Sequence, residues 1–135
     1  MPHIVVEYSA NLRDRIGLPA LIDTLHATAL STGVFPLGGT RTRASERTHY
    51  RIADGHPDNG FVHVSMMIGA GRDVGTRQRA AQQVFDALVA HLAPLYAQAP
   101  LGLSLEVREL DPLLSFKHNN LHDYVAARQS GKERP

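Results

Sequence analysis

The sequence predicts an α+β fold: a tandem β-α-β repeat that builds a four-stranded mixed sheet with its helices on one face. Three observations predict it. Each half of the chain reads as an apolar strand, an amphipathic helix and a second strand. A turn cluster, Asp54-Gly55-His56-Pro57-Asp58-Asn59-Gly60, divides the halves. A single shift of 59 residues carries Arg13 onto Arg72, and Ile22, Leu25 and Ala29 onto Ala81, Val84 and Leu88. With 135 residues there is room for one sound core and no need of a second domain. We take residues 1–126 as a single domain, with pseudo-repeats at about 2–53 and 61–110, and residues 127–135 as a polar tail that frays.

The first element is His3-Ile4-Val5-Val6-Glu7-Tyr8, a short apolar run rich in β-branched residues, as a buried strand requires. Leu18-Pro19 opens a helix, because proline's fixed φ suits a first turn where its missing N–H is no loss. Leu21, Ile22, Leu25, Ala29 and Leu30 give that helix an apolar stripe, and Gly33 stops it. After Gly38-Gly39, the run Thr40-Arg41-Thr42-Arg43 is extended, and His49-Tyr50-Arg51-Ile52-Ala53 reads as more extended chain. The second half begins with the strand Phe61-Val62-His63-Val64-Ser65-Met66-Met67-Ile68. It continues through Gly69-Ala70-Gly71-Arg72-Asp73 into a helix carrying Ala81, Val84, Phe85, Leu88, Val89 and Leu92, which Pro94 is expected to end or kink. Leu101, Leu103, Leu105 and Val107 then alternate with Gly102, Ser104, Glu106 and Arg108, a strand with one buried face. From Leu113 onward, Phe116 and the run His118 to Val125 predict a short helix or an arm reaching a neighbouring subunit. With helices on one face and apolar residues expected on both, the sheet should bury its second face against copies of itself.

Composition narrows the chemistry. The chain has no cysteine, which excludes disulfides, thiolate nucleophiles and thiolate-bound zinc. Fourteen Lys+Arg against thirteen Asp+Glu leave a net charge of +1, far from the excess needed to grip nucleic acid. No basic leader precedes an apolar stretch, and no run approaches the roughly 18 apolar residues of a membrane span. A cytoplasmic protein without a membrane partner is expected. Lysine occurs only at Lys117 and Lys132, so arginine dominates the cations, and its planar fork suits small carboxylate substrates. Gly69-Ala70-Gly71 is not a dinucleotide loop, since the next glycine falls at Gly75, one place late. His118 and His122 stand four apart and would clasp a metal only if helical and joined by a third ligand; surface histidines are the expectation, with no metal site. His63 is expected to be a hydrogen-bonded core or interface histidine.

The most consequential residue is Pro2. Removal of Met1 ahead of a small side chain would leave proline as the terminus, with a basic secondary amine fixed at the start of a strand. An internal proline has no such base, so maturation would turn a structural residue into a proton shuttle. Arg41 and Arg43 alternate on the strand after the first helix and share one face, while Arg72 lies between a strand end and a helix start, where backbone N–H groups also favour anions.

These features resemble the tautomerase superfamily. Within it, Thr32-Gly33-Val34-Phe35-Pro36-Leu37, Ala53-Asp54-Gly55, Phe61-Val62-His63, Ile68-Gly69-Ala70-Gly71-Arg72 and Ser115-Phe116-Lys117-His118-Asn119-Asn120 resemble the 5-carboxymethyl-2-hydroxymuconate isomerase family from Pro2 to about Val125. The resemblance implies a tautomerase-like homotrimer, acting without cofactor in bacterial degradation of homoprotocatechuate. There it would ketonise a hydroxylated dienoic tricarboxylate, an intramolecular enol-to-keto isomerisation. It further implies Pro2 as the general base and acid, with Arg41 as first choice for the developing dienolate, Arg72 for a substrate carboxylate, and Arg43 as a further binding residue. Arg13 is left structural, and Phe61, standing where the second repeat would need its proline, makes that half silent. Two alternatives stand beside this reading: another proline-based tautomerase or a decarboxylase of a small 2-oxo acid, and a non-enzymatic oligomeric binding protein of the same fold.

Overall fold

The computed structural model describes residues 1–131. Strand β1 (His3–Ser9) is followed by helix α1 (Leu18–Ser31), strand β2 (Arg41–Arg47), strand β3 (Gly60–Gly69), helix α2 (Val74–Tyr96), strand β4 (Leu101–Leu110) and helix α3 (Leu121–Gln129). The four strands form one mixed sheet in the order β2-β1-β3-β4. The central pair β1 and β3 is antiparallel, and each outer strand runs parallel to its inner neighbour, with His3 opposite Arg41 and Val64 opposite Leu105. This is the expected α+β sheet.

Alternation decides the faces. Ile4, Val6 and Tyr8 of β1 and Val62, Val64, Met66 and Ile68 of β3 are buried, and they meet Leu21, Leu25 and Ala29 of α1 and Ala80, Val84, Leu88 and Leu92 of α2 in one core. The helices therefore cover one face. Helix α1 begins after Gly17 in a left-handed conformation (φ 56°) with Pro19 in its first turn, and Gly33 (φ 74°) follows its end. Helix α2 is capped by Asp73, whose carboxylate accepts from the Thr76 N–H at 2.7 Å. Among the described residues no helix is long and apolar enough to cross a membrane.

Several expectations are corrected. The 59-residue shift holds for the helices, where Leu21, Leu25 and Ala29 fall on buried Ala80, Val84 and Leu88, but it would place buried Ile4 on half-exposed His63. Both strands bury their even-numbered residues, so an odd shift carries the core side of β1 onto the open side of β3, and the strands do not share the shift of the helices. The extended stretch 49–53 is not a strand: β1 offers partners only as far as Ser9, opposite Arg47, and beyond that β2 has nothing to pair with. Helix α2 runs past Pro94 to Tyr96; the carbonyl that loses its donor belongs to exposed Ala90, where water can replace it. The tail expected to fray from 127 is helical through Gln129, with Ala127 buried, while 132–135 lie outside the described residues.

The open face of the sheet is also more polar than expected. Val5 and Met67 lie among Glu7, Arg47, Ser65, Glu106 and Arg108 in one shallow depression. Glu7 pairs with Arg47, and Glu106 accepts from His63 at 3.2 Å and from Arg108 at 3.1 Å. His63 thus sits on this charged face, bonded as well to Ser104 at 2.7 Å.

Candidate active site

The N-terminus of β1 is where distant parts of the chain meet. Pro2 is buried, and its carbonyl accepts a hydrogen bond from the Arg41 backbone N–H at 3.0 Å, which fixes the start of β2 beside the first residues. The turn before β2 makes this possible: Gly39 N–H and the Thr40 hydroxyl both bond the Pro36 carbonyl, at 3.2 and 2.7 Å. Arg41 then turns its guanidinium onto Met1, donating to Sδ at 2.9 Å, and Asn119 donates to the same sulfur at 3.3 Å. A thioether is a weak acceptor for a guanidinium, so a carboxylate or enolate oxygen would make the stronger partner.

Electrostatics agree with that geometry. The terminal amine of Met1 is held below the usual α-amino value, first by burial, then by the Lys117 ammonium and the Arg72 and Arg41 guanidinia. None of these three cations has a carboxylate partner among the described residues. His3 is held below the usual imidazole value by burial, then by Arg43 and Arg41. Arg43 donates to His3 Nδ1 at 3.0 Å, and arginine can only donate, so the proton of neutral His3 lies on Nε2.

Of the four residues singled out from sequence, Pro2, Arg41 and Arg72 come together at this end of the sheet. Arg72 donates to the carbonyls of Gly69 and Val34, both at 3.1 Å, and lies over the Phe35 ring at 5.4 Å. It ties two loops together while its charge still reaches the amine. Arg43 is on the same strand face as Arg41 but is exposed and engages His3 instead. Arg13 is held by both oxygens of Glu46, at 2.7 and 2.6 Å, a surface pair away from the site. His118 precedes α3, so it and His122 do not share a helix face.

Sequence reasoning missed Lys117 and Asn119 as site residues, although both lie in a motif already noted. They arrive through α3, which packs on the 3-10 turn Leu37–Gly39. A Cβ on Gly38 would stand 2.6 Å from His122 Nδ1 and 2.9 Å from its Cα, so only glycine lets α3 approach. We expect Gly38→Ala to displace α3 and loosen Asn119. It should lower stability by about 1–3 kcal/mol in denaturant titration and kcat/KM by roughly tenfold or more. Unchanged values would show that the contact is unimportant.

A buried residue 2 just ahead of β1, with Arg41 and Arg72 at the same end of a sheet built from two β-α-β units, defines a protein of the tautomerase-like α+β fold. The chain belongs to the 5-carboxymethyl-2-hydroxymuconate isomerase family, whose model matches residues 2–125. It is 42% identical over 122 residues to a 5-carboxymethyl-2-hydroxymuconate Delta-isomerase of Escherichia coli, covering 90% of this chain and 97% of that protein. It superposes with a TM-score of 0.85 and 36% identity on a crystal structure of a 5-carboxymethyl-2-hydroxymuconate isomerase from Deinococcus radiodurans R1, over 90% of this chain and 91% of the other. The fold alone is shared with a fused 4-OT solved as a symmetric trimer, with a TM-score of 0.61 and 18% identity over 87% of this chain and 92% of that one.

Proposed function

We propose that this protein is a cofactor-independent isomerase that ketonises 5-carboxymethyl-2-hydroxymuconate in aromatic catabolism, with the Pro2 nitrogen, uncovered by removal of Met1, as the base. The observation that carries the reading is the bond between Arg41 and Pro2, with the Arg41 guanidinium lying on the group that precedes the proline nitrogen. Neutral Pro2 takes the proton from the 2-hydroxyl, giving a dienolate, and the ammonium returns a proton to the distal carbon. Arg41 faces the oxygen where dienolate charge develops, and Arg72 adds positive potential. Arg43 acts at one remove: together with burial, the larger influence, it favours neutral His3, and its bond to Nδ1 leaves Nε2–H as a donor.

The assembly belongs to the same proposal. We read the protein as a cytoplasmic homotrimer, and the support is the segment after β4, where Leu113, Leu114 and Phe116 are 83, 77 and 89% exposed in the single subunit.

The test joins intact mass to a pH profile. Mature protein should lack Met1, and kcat/KM on the hydroxydienoate should rise with pH and level off below the range of an ordinary α-amino group, about 8. The sign follows from the surroundings: burial first, then the cations, oppose the ammonium form of the Met1 amine, and the Pro2 nitrogen next to it in the chain would meet the same surroundings, so its neutral form should persist to lower pH. Retained Met1 in an active enzyme, or a limb at or above the ordinary range, would overturn the reading.

A further inference from the structure

We infer that Lys117 is a specificity-determining residue: the cation that binds a carboxylate remote from the reacting enol, and so selects polycarboxylate substrates. The inference rests on the reading of this site as an isomerase site and extends it to a residue on a different part of the chain.

Three observations meet on it. A pocket of about 250 Å³ opens beside the N-terminus, lined by Met1, His3, Gly69, Ala70, Ser115 and Lys117 among others, and no carboxylate lines it. A cation in such a pocket invites an anion. Secondly, the segment bearing Lys117 is held at both ends. At β4 the Asp111 carboxylate accepts from Leu113 N–H at 2.9 Å and its carbonyl from Leu114 N–H at 3.1 Å. At the other end Asn119 caps Leu121 N–H at 2.9 Å and reaches Met1 Sδ. Lys117 thus lines the pocket from a short segment anchored at both ends.

Thirdly, its charge is directed at the same place as the arginines. After burial it is the largest influence on the terminal amine, ahead of Arg72 and Arg41. Three cations around one amine, none paired with a carboxylate among the described residues, exceed what a single carboxylate would balance. A ligand with two or three carboxylates matches that field. Arg41 and Arg72 come from β2 and the β3–α2 loop, whereas Lys117 comes from the segment after β4, so the three charges are separate side chains carried by three parts of the chain. An elongated polyanion can span them, and a monocarboxylate can engage only one.

The experiment compares binding of propane-1,2,3-tricarboxylate and of acetate by calorimetry in wild type, Lys117→Ala and Lys117→Arg. Kd for the tricarboxylate should rise on the order of tenfold to a hundredfold in Lys117→Ala, Kd for acetate by less than about threefold, and Lys117→Arg should restore most of the loss. An equal loss for both ligands, or no loss for either, overturns the inference. Lys117 is exposed, so the alanine variant should fold, and an unchanged thermal midpoint verifies that. Equilibrium binding does not involve the Pro2 base, so Pro2→Ala with undiminished turnover would refute the catalytic reading while leaving this comparison valid.

Discussion

Pro2→Ala is expected to lower kcat for ketonisation by about a hundredfold while leaving the fold in place. The variant keeps a terminal amine, but a primary one without the ring that holds the nitrogen at a fixed angle to β1. The effect is therefore one of placement and basicity rather than loss of the group. Abolishing the base altogether is more severe. Protein that retains Met1 has a tertiary amide at the same nitrogen, and its kcat should fall by as much as roughly 10⁴-fold, the upper range for a positioned proton-transfer group. Ultraviolet monitoring of the hydroxydienoate, with each sample's mass verified, measures both. An alanine variant as fast as wild type would remove proline from the mechanism.

Arg41→Ala is expected to lower kcat/KM by on the order of 10²–10³-fold, the usual effect of deleting a donor aimed at a developing oxyanion. Its structural cost should be small. The bond that seats β2 beside Pro2 uses the Arg41 backbone N–H, which alanine keeps, and among the described residues the guanidinium bonds only the Met1 sulfur. The pH profile supplies a second readout. Arg41 is one of the cations that hold the terminal amine down, so removing it should move the rising limb to higher pH. Arg41→Lys should recover that limb more fully than the rate, because an ammonium restores charge without the planar fork. A rate loss with a stationary limb would place Arg41 away from the base.

Much of this molecule follows from local pattern. The apolar stripes of α1 and α2 and the alternation in β4 repeat at 3.6 and 2 residues, so each element and its buried side are determined by residues a few places apart. Pro2, Arg41 and Arg72 stand out for similar reasons, each at the edge of a recognisable element. Where periodicities compete, pattern alone misleads. The repeat shift is odd, and only packing reveals that the helices obey it while the strands run out of phase. Extended sequence at 49–53 likewise lacks a partner, and an unpaired stretch of chain is not a strand however suitable its residues.

By itself the sequence determined the order of elements, the covered face of the sheet and the residue at the head of β1, because each is written in short-range spacing and chain position. Tertiary structure alone decided what surrounds that residue. Asn119 reaches Met1 across 118 positions of chain, Lys117 lines the pocket beside Met1, and glycine at position 38 lets the following α3 sit against the turn. An irregular segment carries no period to announce its destination; its place is decided by the contacts that close the loop, and these exist only once the chain has folded.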